Sequence, residues 1–130
     1  MDFHAACEAW AETLDQDDLE ALFAAIAVLR DLGPALGRPL VDTVEGSRHA
    51  NMKELRPGST GRTEIRVLFA FDKKRAAILL MGGDKSRDWN RWYKTNIPIA
   101  DQRFDEHQSR IDQAAGSDGR GRRKKRRGER

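Results

Sequence analysis

The run Thr63-Glu64-Ile65-Arg66-Val67-Leu68-Phe69-Ala70-Phe71-Asp72, and the Ala76-Ala77-Ile78-Leu79-Leu80-Met81 that follows a polar Lys73-Lys74-Arg75 turn, decide the fold class. In the first run Ile65, Val67, Phe69 and Phe71 alternate with Glu64, Arg66, Leu68 and Ala70. That two-residue period predicts a strand with one strongly apolar face and a second face that carries the arginine. The second run is almost uniformly apolar, as expected of a strand covered on both sides, and Gly82-Gly83 is expected to break it. Upstream, Met52 to Arg56 reads as a short strand ended by Pro57-Gly58, with Ser59 to Gly61 continuing the turn. The three strands form an antiparallel meander. Basic residues sit inside or just beyond each of them, more than a buried sheet needs, which points to an anionic ligand.

Helical signals flank the meander. His4 to Leu14 suits a short helix, and Asp15 is a candidate N-cap for residues 16–32, where Leu19, Leu22, Phe23, Ile26 and Leu29 recur at helical spacing. Gly33-Pro34 stops that helix, Pro34 to Pro39 reads as an extended crossing loop, and Val41 to Asn51 is irregular or weakly strand-like. Trp89 to Lys94 is aromatic and basic, a turn or short helix, with Trp89 and Trp92 expected to pack in the core. A last helix is expected from Pro98, with Ala100, Phe104, His107 and Ile111 on its inward stripe. The order helix, helix, meander, helix is α+β. Residues 1–115 form one domain, and residues 116–130, rich in Gly, Ser, Arg and Lys, are expected to be a disordered basic tail.

The net charge of +3 is unevenly distributed. Residues 1–47 hold two basic and ten acidic side chains, residues 48–94 hold twelve basic and five acidic, and residues 116–130 hold eight basic and two acidic. An acidic front with a basic middle and tail suggests a polyanion partner. The single cysteine, Cys7, cannot form an internal disulfide, so a reducing, cytoplasmic setting is expected. No apolar run approaches the roughly 18 residues of a membrane span, and no signal-peptide pattern opens the chain, so no membrane partner is expected.

Four blocks, Gly46-Ser47-Arg48-His49 with Asn51-Met52-Lys53-Glu54-Leu55-Arg56, then Arg66 to Asp72, Ile78 to Lys85, and Ile97-Pro98-Ile99-Ala100-Asp101 with Phe104 to His107, together resemble the phage-derived Gp49-like, HigB-type branch of the RelE toxin superfamily. The Gly33 to Leu40 loop belongs to the resemblance, which runs from about Trp10 to about Arg110. It implies a compact, twisted antiparallel sheet (RelE-like) with two N-terminal helices and a C-terminal helix. The family usually has a strand before those helices. Only Met1 to Phe3 precede the first helix here, so that strand is expected to be truncated or missing. The resemblance further implies the toxin of a type II toxin–antitoxin system. Such toxins are endoribonucleases, in the best-studied cases cutting mRNA in the ribosomal A site, and are neutralised by a cognate antitoxin, here expected to be of helix-turn-helix type. The alternative is a non-catalytic nucleic-acid-binding or antitoxin-docking module on the same fold.

Metal-independent cleavage by the 2′-OH needs a base, cations on the phosphate and an acid for the leaving 5′-oxygen. Arg66 is the first candidate; it lies off the apolar face, and the family's arginine at this position faces the scissile phosphate. Arg56 is a second phosphate ligand, and Lys53 and Glu54 compete as general base, although in a regular strand Lys53 and Arg56 point in opposite directions. Lys85, after Gly82-Gly83-Asp84, can grip phosphate, and Tyr93 can act as acid or stack on a base. Arg62, Arg91, Lys94 and His49 are further RNA-binding candidates, and His107 reads as structural. No cofactor is expected, and no residue cluster has metal-ligand spacing.

Overall fold

β4 (Ile65–Phe71) and β5 (Ala77–Asp84) pair antiparallel at the centre of a five-stranded sheet. The structure, a computed structural model, describes residues 1–58 and 61–123. Ser59 and Thr60 in the expected turn, and residues 124–130 of the expected basic tail, lie outside the described residues. The remaining elements are β1 (Asp2–Phe3), α1 (Ala5–Ala11), α2 (Gln16–Leu32), a single 3-10 turn (Gly33–Ala35), β2 (Val41–Thr43), β3 (Lys53–Leu55) and α3 (Trp89–Arg123). The sheet order is β1-β5-β4-β3-β2, antiparallel throughout except that β1 joins β5 in parallel. The class is the expected α+β. A leading strand is present, its two residues paired with Ile78 and Leu79.

α2 begins where its cap predicts: the Asp15 carboxylate accepts from the Asp18 amide at 3.0 Å. It ends at Gly33, whose φ of +57° favours glycine. Its apolar stripe Leu22, Ile26 and Leu29, with Cys7 and Ala11 of α1, packs on Val41, Leu55, Val67, Phe69 and Leu79. Burial pushes the Cys7 thiol up to about 12, so it behaves as a small apolar residue.

The second face of the sheet departs from the alternation argument. Leu68 and Ala70 are fully buried too, because α3 lies over them and places Ile97, Ala100 and Phe104 against Met52, Leu68, Ile78 and Leu80. β4 is therefore covered on both faces, and only its Arg66 end of the α3 side is polar. α3 also corrects the expected helix start at Pro98. It begins at Trp89, capped by the Asp88 carboxylate on the Arg91 amide at 3.1 Å, and runs through Pro98 without ending. Pro98 is exposed, so the carbonyl it leaves without a helical partner can bond water. The helix continues to Arg123, past the residue 115 boundary drawn from composition.

β5 does not break at Gly82-Gly83. The strand continues to Asp84, with Gly82 opposite Val67 and Gly83 opposite Arg66. A Cβ on Gly82 would sit 2.1 Å from the Trp10 ring, and one on Gly83 2.3 Å from Trp92 Nε1. The two glycines thin the strand so that one indole packs on each face. A bulge between Leu68 and Phe69 makes this register possible: Phe69 faces Leu79 and Leu68 faces Met81, leaving Leu80 extra. Its carbonyl accepts from Arg103 Nη1 of α3 at 2.7 Å.

The middle of α3 is tied to the β4–β5 turn. Asp72 accepts from the Lys74 and Ala76 amides at 2.8 and 3.0 Å and meets His107 Nε2 at 2.8 Å, which makes His107 structural.

Candidate active site

β3 and β4 run antiparallel with Glu54 opposite Leu68, so Glu54 and Arg66 project from the same face, the one that α3 covers. The first turns of α3 bring Tyr93 over them. The Tyr93 hydroxyl donates to Glu54 Oε1 at 2.5 Å, across 39 residues of sequence. Arg66 Nε lies 3.9 Å from the same oxygen, and Arg56 Nε lies 3.7 Å from Oε2. Glu64, at the start of the strand, sits 3.7 Å from Arg66 Nη2 and 3.8 Å from Lys85 Nζ. The Lys85 ammonium in turn lies 5.8 Å from the centre of the Tyr93 ring and 5.9 Å from that of Trp89. Five of the six catalytic candidates, Glu54, Arg56, Arg66, Lys85 and Tyr93, thus occupy one site.

The site is a carboxylate and a phenol enclosed by three cations. Glu54 is 6% exposed and Arg66 9%. Burial pushes the Tyr93 hydroxyl well above its ordinary range, and its bond to the Glu54 carboxylate adds to the rise, so it stays protonated at neutral pH. Arg66 is anchored by Nη1 on the Ile65 carbonyl at 2.9 Å. Its Nε is buried and makes no hydrogen bond. It lies 3.9 Å from Glu54 Oε1, so the guanidinium meets that carboxylate as a charge rather than as a hydrogen-bond donor.

Lys53 is the sixth candidate. It pairs with Phe69 and Thr43, on the α2 side of the sheet, so it faces away from Glu54. Alternation in a regular strand carries it there. Of the RNA-binding candidates, Lys94 and Arg91 lie on α3 beside Tyr93, Lys94 at an opening next to Ile97 and Pro98, Arg91 at one next to Asp84 and Arg87. Arg62 faces Asp15 and Asp17 at the start of α2 instead. His49 stacks edge-on against Phe104 and bonds Asp105 at 2.8 Å, which is three helical turns from Tyr93. It belongs to a lock that holds the β2–β3 loop to α3, together with Ser47 on Asp101 and Arg48 on Asp105.

Trp92 packs as expected, over Gly83. Trp89 does not; it is 61% exposed and borders a cleft of about 350 Å³ that opens beside Glu54 and Tyr93. Sequence reasoning missed this cleft, since its other walls, Thr43, Glu45 and Asn90, carry no pattern that singles them out. Among the described residues no group of three or more His, Cys, Asp or Glu side chains could hold a metal ion, and no helix is long and apolar enough to cross a membrane.

Residues 9–105 match the family described as phage derived protein Gp49-like. Two proteins of Mycobacterium tuberculosis (strain ATCC 25618 / H37Rv) are similar to the chain. One, named "Putative toxin HigB2", is 60% identical over 99 residues, which is 76% of this chain and 49% of that protein. The other, named "Putative toxin HigB3", is 55% identical over 96 residues, 74% of this chain and 82% of that protein. The chain therefore spans about half the length of the first relative and most of the second. No solved structure matches it at a significant level.

Proposed function

Because the chain belongs to the phage-derived Gp49-like family, we propose that it is the toxin of a type II toxin–antitoxin pair and acts as a metal-independent endoribonuclease on mRNA, held inactive by a cognate antitoxin. The observation that carries the chemistry is the short Tyr93–Glu54 hydrogen bond with Arg56, Arg66 and Lys85 around it. A carboxylate that accepts from a phenol can serve with it as the two ends of one relay.

In this reading Glu54 takes the proton from the 2′-OH as its oxygen attacks the phosphorus. Arg66 holds the phosphate, and Arg56 and Lys85 complete the stabilisation of the growing negative charge. Tyr93 gives its proton to the leaving 5′-oxygen and recovers one from Glu54 through their shared bond. The products are a 2′,3′-cyclic phosphate and a 5′-hydroxyl, with no net proton gained or lost by the protein. Glu54 serves as base rather than Lys53, since Lys53 lies on the far face of the sheet.

The test is to map mRNA 5′ ends after induction of the chain without antitoxin, beside an Arg66→Ala variant. New 5′-hydroxyl ends in translated mRNA, absent with Arg66→Ala, are expected, with growth arrest in the wild type alone. Growth arrest without new ends would instead favour a binding module that blocks translation. Cleavage that needs translating ribosomes would place the reaction in the A site, and equal cleavage of free mRNA would not.

A further inference from the structure

The cleft beside the Tyr93–Glu54 pair has a composition that a phosphate site would not have. Its walls include Glu45, Glu54, Asn90, Trp89 and Tyr93, and no lysine or arginine is among them. The site's cations approach the cleft at Glu54, where Arg56 and Arg66 lie 3.7 and 3.9 Å from the carboxylate, and at the two rings, with the Lys85 ammonium 5.8 Å from the centre of Tyr93 and 5.9 Å from that of Trp89. The scissile phosphate belongs at those cations, which leaves the rest of the cleft to the adjoining base. A flat, neutral ring bearing hydrogen-bond donors would be admitted. Its volume, about 350 Å³, falls in the range of small-ligand sites, about 300–1,000 Å³.

Trp89 is the second observation. The other aromatic residues at the start of α3 are at least partly buried, whereas Trp89 is 61% exposed with its ring on the rim of the cleft. It is nevertheless held in place: its ring meets Tyr93 edge to face at 6.4 Å, and the Lys85 ammonium sits 5.9 Å from its centre. An exposed but braced indole beside single-strand chemistry is a stacking surface.

We infer that this cleft is a nucleobase pocket, in which Trp89 stacks on the base adjoining the scissile phosphate and Glu45 selects for a base with an exocyclic amino group. The inference rests on the ribonuclease reading and names the specificity element of that site. A carboxylate only accepts hydrogen bonds at neutral pH, so it favours the amino group of cytosine over the carbonyl that uracil carries at the same ring position. Cytosine and uracil have similar ring area, so comparing them isolates Glu45 from stacking.

The experiment measures equilibrium binding of uncleavable 2′-O-methyl hexacytidylate and hexauridylate to the full chain at physiological salt. The wild type is expected to prefer hexacytidylate. Trp89→Ala should weaken its binding roughly 5- to 100-fold, the range set by losing one stacked base, and Trp89→Phe should restore most of it. Glu45→Gln should narrow the gap between the two probes, since an amide can donate to the uracil carbonyl. Trp89 and Glu45 are exposed, so these variants should melt with the wild type; if Trp89→Ala does not, the Trp89→Phe and Glu45→Gln arms decide. Unchanged binding by Trp89→Ala, or a cytosine–uracil gap that is absent or insensitive to Glu45→Gln, overturns the inference. If Arg66→Ala still weakens both probes in that case, the ribonuclease reading stands. A wild type that binds neither probe overturns the inference, and the ribonuclease reading is then decided by the 5′-end mapping alone.

Discussion

At Tyr93 a single oxygen separates packing from chemistry. Tyr93→Phe keeps the ring against Trp92, 5.2 Å between centroids, and removes only the proton donor. Cleavage by this variant should fall about 10²- to 10⁴-fold in kcat with little change in KM, measured on a defined RNA under single-turnover conditions. Arg66→Lys should also fail. A point charge cannot keep the anchor on the Ile65 carbonyl and also reach the phosphate oxygens, so loss of cleavage without loss of fold is expected by 5′-end mapping and circular dichroism. A third residue, Asp72, governs acid stability. Burial opposes its ionisation, but the bond to His107 and those to the Ala76 and Lys74 amides outweigh it and hold the carboxyl below its ordinary value. The stabilisation is therefore complete above the unfolded value near pH 4 and is lost as pH falls through the lower folded value. Asp72→Asn should cost about 1–3 kcal/mol at neutral pH and flatten the acid limb of a denaturation series. Arg66 and Tyr93 stand out in the sequence, and the fold brings both to the Glu54 carboxylate. That Lys53 lies apart from them is not legible, because it depends on which face of β3 receives α3.

α2 was read directly from its cap and stop residues, Asp15 and Gly33, and α3 was not. Pro98 looked like a helix start because proline is favoured in a first turn, whereas the cap that matters is Asp88, ten residues earlier. That expectation left Trp89 to Lys94 as a separate turn or short helix, when that segment is the start of α3. The glycine pair misled in a similar way. Gly82 and Gly83 resemble a strand break until Trp10 and Trp92, distant in sequence, are seen to occupy the space their missing side chains leave. Gly83→Ala must push Trp92 aside, at a cost of about 1–3 kcal/mol, and should lower the Tm by several degrees in a thermal melt. It should also reduce cleavage, since Trp92 and Tyr93 are neighbours on the same turn. Gly82→Ala crowds Trp10 on the opposite face, so a similar loss of stability with cleavage largely kept is expected.

For the molecule as a whole, charge follows the fold: the acidic residues of α1 and α2 lie on one side of the sheet and the basic site on the other. RNA affinity should fall with salt, by roughly 0.7 in log K per log unit for each phosphate neutralised. Removing residues 116–130, which carry eight basic and two acidic side chains, should make that dependence shallower while leaving kcat unchanged, as read by cleavage assays across a salt series. The bond from Tyr93 to Glu54 has one more effect, on timing. Glu54, Arg56 and Arg66 are synthesised well before Tyr93, which joins them across 39 residues. At about 5–20 residues per second, a growing chain spends seconds with its cations and base in place but no proton donor above them. In the proposed mechanism α3 therefore completes the site, and a nascent chain that has not reached Tyr93 would lack the proton donor.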